Sequence, residues 1–104
     1  MCGIVGLISP ARRTADPAVI RNMRNLITHR GPDDAGFTSI DAETGKIGPL
    51  SSRSTPSAMF GFTRLSIRDL SHRGHQPMVS ADGSVVILFN GEIYNTDDLQ
   101  RKYL

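Results

Sequence analysis

The chain has 104 residues, 38% of them hydrophobic and 21% charged, with twelve basic side chains against ten acidic ones and a formal net charge of +2. This composition describes one ordinary globular domain and excludes a disordered chain, and no run approaches the roughly 20 apolar residues that cross a bilayer. The basic residues are scattered rather than clustered, so neither nucleic acid nor a membrane is an expected partner. The start lacks the basic and apolar regions of a secretory signal, and a single cysteine forbids an intramolecular disulfide, so a cytoplasmic location is expected.

That cysteine is Cys2. Were Met1 removed, Cys2 would carry a thiol and a free α-amine on one residue, a nucleophile beside its own base. The bland alternative is a small apolar residue opening a strand. The run Gly3–Ile8 is short, apolar and rich in β-branched residues, which predicts a buried strand. Its two glycines point to close approach by other backbone or side chains.

Asp16-Pro17 then supplies an N-cap followed by proline at the first helical position. Val19, Ile20, Met23, Leu26 and Ile27 recur at helical spacing, which predicts a helix with these residues on the sheet and Arg21, Arg24 and Asn25 in water. His29-Arg30-Gly31-Pro32-Asp33 stops it. A second strand is expected at 35–40 and a mobile loop or irregular hairpin at 41–57, where Gly, Ser, Thr and Pro abound. Strand character returns at 58–65, and 66–77 reads as a loop over the sheet.

His72 and His75, three apart, invite a metal reading. No metal site is expected there, Cys2 being better explained as a nucleophile. Asp82-Gly83 marks a β-hairpin turn. The following strand, 84–89, is apolar on both faces, which predicts burial between two layers. Asn95 or Thr96 caps a last helix, with Asp97 and Asp98 in its first turn and an apolar stripe beginning at Leu99 and Tyr103.

Four stretches in this order, Met1-Cys2-Gly3-Ile4-Val5-Gly6, His29-Arg30-Gly31-Pro32-Asp33, Arg64-Leu65-Ser66-Ile67 and Asn90-Gly91-Glu92-Ile93-Tyr94-Asn95, closely resemble the class II glutamine amidotransferase domain of glutamine-hydrolysing asparagine synthetases. The resemblance runs from the first residue to the last. It implies an α+β fold of the N-terminal-nucleophile hydrolase type, an α/β/β/α sandwich of mainly antiparallel sheets. The family domain is longer, so residues 1–104 are expected to be its N-terminal part, incomplete and without the synthetase domain.

In the chemistry that the resemblance implies, Cys2 attacks the side-chain amide of L-glutamine, and its α-amine moves the protons. Asn90 and Gly91 match the family's oxyanion donors, and losing one such donor typically costs about 2.7 to 4 kcal/mol of transition-state stabilisation. Arg64 matches the clamp on the glutamine carboxylate, which suits a planar bidentate donor. Leu65, Ile67 and Glu92 match further substrate contacts. Arg68 stands where many relatives carry an apolar residue. The motif 29–33 is expected to shape the wall of the site.

The resemblance also implies no cofactor for glutamine hydrolysis, with ATP and magnesium serving only the absent synthetase domain. That domain or subunit, which accepts ammonia, is the expected partner, and a homodimer is left open. Two other readings stay open. One is the glutaminase half of another amide-forming ligase or of a sugar amidotransferase. The other is a catalytically silent, truncated fragment.

Overall fold

The computed structural model describes residues 2–9, 16–41, 44–50, 58–67 and 70–104. Four strands, β1 (Gly3–Ile8), β2 (Asp34–Ile40), β3 (Ile47–Gly48) and β4 (Ala58–Arg64), form an antiparallel sheet in the order β1-β4-β2-β3. The α-helix α1 (Pro17–Leu26) packs on one face of it. Two further strands, β5 (Met78–Val79) and β6 (Val86–Ile87), pair separately, and α2 (Thr96–Tyr103) follows. The described residues thus form a small α+β unit with antiparallel sheets. Of the loop or irregular hairpin expected at 41–57, residues 42–43 and 51–57 lie outside the described residues, and the described part includes β3, which pairs antiparallel with β2.

Register decides which side chains share a face, because residues directly opposite one another point the same way. Gly3, Thr63 and Ala35 are aligned across the sheet, as are Val5, Gly61 and Phe37. This is the helix face: a β-carbon added at Gly3 would lie 2.7 Å from Ile27 Cδ1 and 2.9 Å from Thr63 Oγ1. The opposite face carries Ile4, Phe62 and Gly36 in one row, with Arg64 opposite Asp34 at the strand end. The core is small, with Ile20, Met59 and Phe62 its fully enclosed apolar side chains among the described residues.

Helix α1 starts as expected. The Asp16 side chain accepts the Ala18 N–H at 2.9 Å, and Pro17 sits at the first position. Its buried stripe differs from the expected one. Ile20, Met23, Arg24 and Ile27, at i, i+3, i+4 and i+7, face the sheet, whereas Val19 and Leu26 are 45% and 77% exposed. Arg24 fills an apolar position because its stem packs like a hydrocarbon and its guanidinium lies 5.5 Å from the Phe37 ring centroid. After α1 a one-turn 3-10 helix, Thr28–Arg30, leads to Gly31.

Two strand expectations are corrected. β1 lies at the sheet edge with one face open, Ile4 and Ile8 being exposed, so it is half-buried rather than buried. The strand expected at 84–89 shrinks to Val86–Ile87, and Ile87 is 53% exposed. Its apolar run has only the two-residue strand β5 as a partner, too short to enclose both faces.

The β5–β6 turn has the expected chemistry: Gly83 takes φ +73 and its N–H bonds Ser80 O at 2.9 Å. Bonds from the Ser80 and Ser84 hydroxyls and from the Ser84 N–H hold the Asp82 carboxyl down at about 2. A carboxylate depressed on folding contributes stability above its ordinary range and loses it as pH falls through the folded value. The Asp82 carboxyl resonance should therefore titrate near pH 2 rather than near the usual ~3.9, and Ser80→Ala with Ser84→Ala should return it to the ordinary range. Carboxyl-carbon NMR checks this; a midpoint that does not move would refute it.

Candidate active site

Cys2 precedes β1 and, one residue before Gly3, falls on the sheet face opposite α1. Its sulfur receives the Leu65 N–H at 3.4 Å and lies 3.8 Å from Leu65 O. An N–H aimed at sulfur is placed to solvate negative charge there. The Cys2 carbonyl accepts two bonds, from Arg30 Nε at 3.2 Å and from Asn90 Nδ2 at 3.0 Å. Residues 28 and 88 positions away thus fix the backbone that carries the thiol.

A cavity of about 280 Å³ opens at this sulfur, lined by Cys2, Phe62, Arg64, Leu65, Ile67, Gln76, Phe89, Asn90, Gly91 and Glu92. All seven residues expected from the sequence are there: Cys2, Arg64, Leu65, Ile67, Asn90, Gly91 and Glu92. The volume is at the small end of the range for small-molecule sites.

Arg64, only 8% exposed, is held in place: Nη1 donates to Ser71 O at 2.7 Å. Gly74 lies against the guanidinium so closely that an added β-carbon would sit 2.1 Å from Nη2. The 29–33 motif, expected to shape the wall, contributes no lining residue to the cavity and braces the Arg64 segment instead. Asp33 N–H bonds Arg64 O at 3.0 Å, and the Asp33 carboxylate accepts the Ser66 N–H at 2.8 Å. Arg68 lies outside the described residues.

Three lining residues were missed: Phe62, Gln76 and Phe89. Gln76 is the informative one. Its side-chain amide reads the Phe89 backbone in both directions, Oε1 accepting the Phe89 N–H at 2.6 Å and Nε2 donating to Phe89 O at 3.1 Å. The amide acts as a one-residue strand partner, seating the residue just before Asn90. No local pattern announces such a contact between residues 13 apart. Gln76→Ala should destabilise the domain by about 1–2 kcal/mol through two lost bonds. By loosening Asn90 it should also lower the turnover that the resemblance implies by about 10- to 100-fold. A denaturant melt and a steady-state assay on the same variant check both; unchanged kcat would remove Gln76 from the positioning of Asn90.

The two histidines also differ from expectation. A carboxylate joins them in space, Asp34 at the start of β2: His75 Nδ1 lies 2.6 Å from Asp34 Oδ2, and the His72 and His75 rings stack at 4.8 Å. Burial alone would raise the Asp34 carboxyl; the His75 contact and the Ala35 N–H outweigh it and hold the group below its ordinary range.

The family model for the glutamine amidotransferase domain matches residues 1–104. The chain belongs to this family. Among curated proteins, it is 37% identical over 103 residues to asparagine synthetase (glutamine-hydrolysing) 2 of Bacillus subtilis, covering 96% of this chain and 12% of that protein. It is 39% identical over 105 residues to asparagine synthetase (glutamine-hydrolysing) 1 of the same organism, covering 98% and 14%. It is 35% identical over 117 residues to putative asparagine synthetase (glutamine-hydrolysing) 2 of Methanocaldococcus jannaschii, covering 99% and 20%. This amidotransferase chain therefore spans about an eighth to a fifth of the length of these relatives. No solved structure matches it significantly. Among the described residues no helix is long and apolar enough to cross a membrane.

Proposed function

We propose that this chain hydrolyses L-glutamine to glutamate and ammonia as the amidotransferase portion of an asparagine synthetase, the ammonia going to ATP-dependent amidation of aspartate. The observation that carries the proposal is the convergence of Arg64, Leu65, Ile67, Asn90, Gly91 and Glu92 on one cavity with the Cys2 sulfur. The names of the relatives favour aspartate as acceptor over other amide-forming chemistries.

In this reading the α-amine of processed Cys2 takes the thiol proton, and sulfur attacks the amide carbon of glutamine. The carbonyl electrons move to oxygen, where the second Asn90 amide hydrogen and the Gly91 N–H receive the negative charge. The C–N bond then breaks, the ammonium form of the amine protonates the departing nitrogen, and a glutamyl thioester remains. Water hydrolyses it. Arg64, braced by Ser71 O and Gly74, binds the substrate carboxylate, while Leu65, Ile67 and Glu92 line the rest of the pocket.

This step needs no cofactor, and ATP and magnesium belong to the synthetase partner. A free thiol nucleophile fits a reducing compartment, which supports a cytoplasmic location. The α1-covered sheet, with the β5–β6 pair beyond its other face, is consistent with part of an α/β/β/α sandwich of the N-terminal-nucleophile hydrolase type.

The test is ammonia release from glutamine by the purified chain, with intact mass read before and after diazo-oxo-norleucine. Loss of Met1, one label on Cys2 and turnover support the reading. A free Cys2 that neither labels nor turns over glutamine would sink the reading of this chain as a self-sufficient glutaminase.

A further inference from the structure

Asp34, His72 and His75 bring their ligand atoms within 4.8 Å of one another, the one such group of three found among the described residues. Two separate segments supply them. Asp34 opens β2. His72 begins a one-turn 3-10 helix, His72–Gly74, and His75 is its C-cap.

The local geometry explains the convergence. A 3-10 helix has three residues per turn, so side chains at i and i+3 eclipse. The two imidazoles accordingly lie one over the other, 4.8 Å between centroids and 15° from parallel. The turn is closed by Gly74 N–H to Ser71 O and His75 N–H to His72 O, and the Ser71 hydroxyl accepts the Arg73 N–H. Asp34 is oriented too: its Oδ1 accepts the Ala35 N–H at 2.8 Å, which turns Oδ2 towards His75. A donor carboxylate pinned through its other oxygen is the outer-shell arrangement that orients metal ligands.

An Asp–His ion pair accounts for two of these groups but not for the second imidazole. We propose that Asp34, His72 and His75 form a binding site for a divalent transition-metal ion of borderline softness, with Zn²⁺ the best match. Two imidazole nitrogens and one carboxylate oxygen are a donor set for zinc rather than for calcium or magnesium, which take oxygen. The ion takes the place of the proton shared between His75 Nδ1 and Asp34 Oδ2. With metal–ligand distances of about 2.0–2.2 Å, donors in a tetrahedral site stand about 3.3–3.5 Å apart. His75 therefore moves slightly away from Asp34, and His72 closes in. His72 is exposed, so its ring can swing without disturbing the core. Three protein ligands leave the fourth position to water.

None of the three residues lines the cavity at Cys2. The same turn presents Ser71 O to Arg64, so a bound ion ties that turn to β2. This inference is independent of the glutaminase reading.

The test uses the full chain as Cys2→Ser, which removes the one thiol, after treatment with a chelator. Calorimetric titration with Zn²⁺ should show one saturable equivalent, and Co²⁺ should give the visible ligand-field absorption of a four-coordinate ion. His72→Ala and Asp34→Asn in that background should each weaken Zn²⁺ binding at least tenfold. Circular dichroism confirms the fold, and His72, being exposed, is the variant least able to disturb it. Zn²⁺ binding that is undiminished in His72→Ala, or absent from the parent below millimolar ion, would overturn the proposal.

Discussion

Cys2→Ala is expected to abolish glutamine turnover, with a fall in kcat of at least about 10³-fold, while the fold is retained. Removing the nucleophile of an acyl-transfer enzyme leaves only what binding and charge stabilisation provide, and losses can reach about 10⁶-fold. The stability change should be small, within about 0.5 kcal/mol. The side chain is half-buried and its sulfur contacts, 3.4 and 3.8 Å to the Leu65 backbone, are weak. The bonds that hold this segment go to the Cys2 carbonyl from Arg30 and Asn90, and alanine keeps that carbonyl. A rate assay and a thermal melt of the same sample check the pair of expectations. Substantial residual turnover would show that another group is the nucleophile. Complete loss of both folding and activity would instead make Cys2 a packing residue.

Gly31→Ala is expected to lower stability by about 3 kcal/mol, roughly 12–24 °C in Tm for a domain of this size. Gly31 has extended backbone, φ −158, so a left-handed conformation is not the reason. Space is. An added β-carbon would sit 2.6 Å from backbone atoms of Arg64 and Thr63, against about 3.5–4.0 Å for a relaxed carbon contact. Those atoms belong to the central strand β4 and cannot swing aside as a side-chain tip would. Relief requires the 31–33 segment to part from β4, which breaks the Asp33 N–H to Arg64 O bond and shifts the wall behind Arg64. Gly48→Ala is the control: nothing lies within 4 Å of its added β-carbon, so it should fall within about 0.5 kcal/mol of the parent. A thermal melt that places Gly31→Ala beside Gly48→Ala would show that Gly31 is not kept for close approach.

The candidate site was legible because it lies in short, chemically marked stretches. The cavity joins Cys2, 64–67 and 90–92, and each of these could be picked out as a motif before any fold was known. Gln76 could not. An amide on a loop carries no mark of the backbone it will read, and its partner Phe89 becomes apparent only when the two segments are laid side by side. Arg24 misled for a related reason: charge predicts water for its head, while its stem and the Phe37 ring decide where the residue sits. The 84–89 run misled in the opposite direction, since apolar side chains on both faces announce a capacity for burial but not the layers that would supply it.

What the sequence by itself determined are the properties that act over a few residues. The Asp16-Pro17 helix start, the Gly83 turn and the strands at 3–8 and 58–64 came from capping, local dihedral preference and the run of apolar and β-branched residues. The motifs that name the family are local in the same sense. What only the tertiary structure decided is which faces and which distant groups meet. The register of β1 and β2 on β4 puts Cys2, Phe62 and Arg64 on the face away from α1. It also brings Asp34 to histidines about forty residues on. Strand pairing sets these meetings, and a one-residue slip would send every side chain to the other face. That choice depends on the packing of the whole sheet against α1, so no window of a few residues contains it.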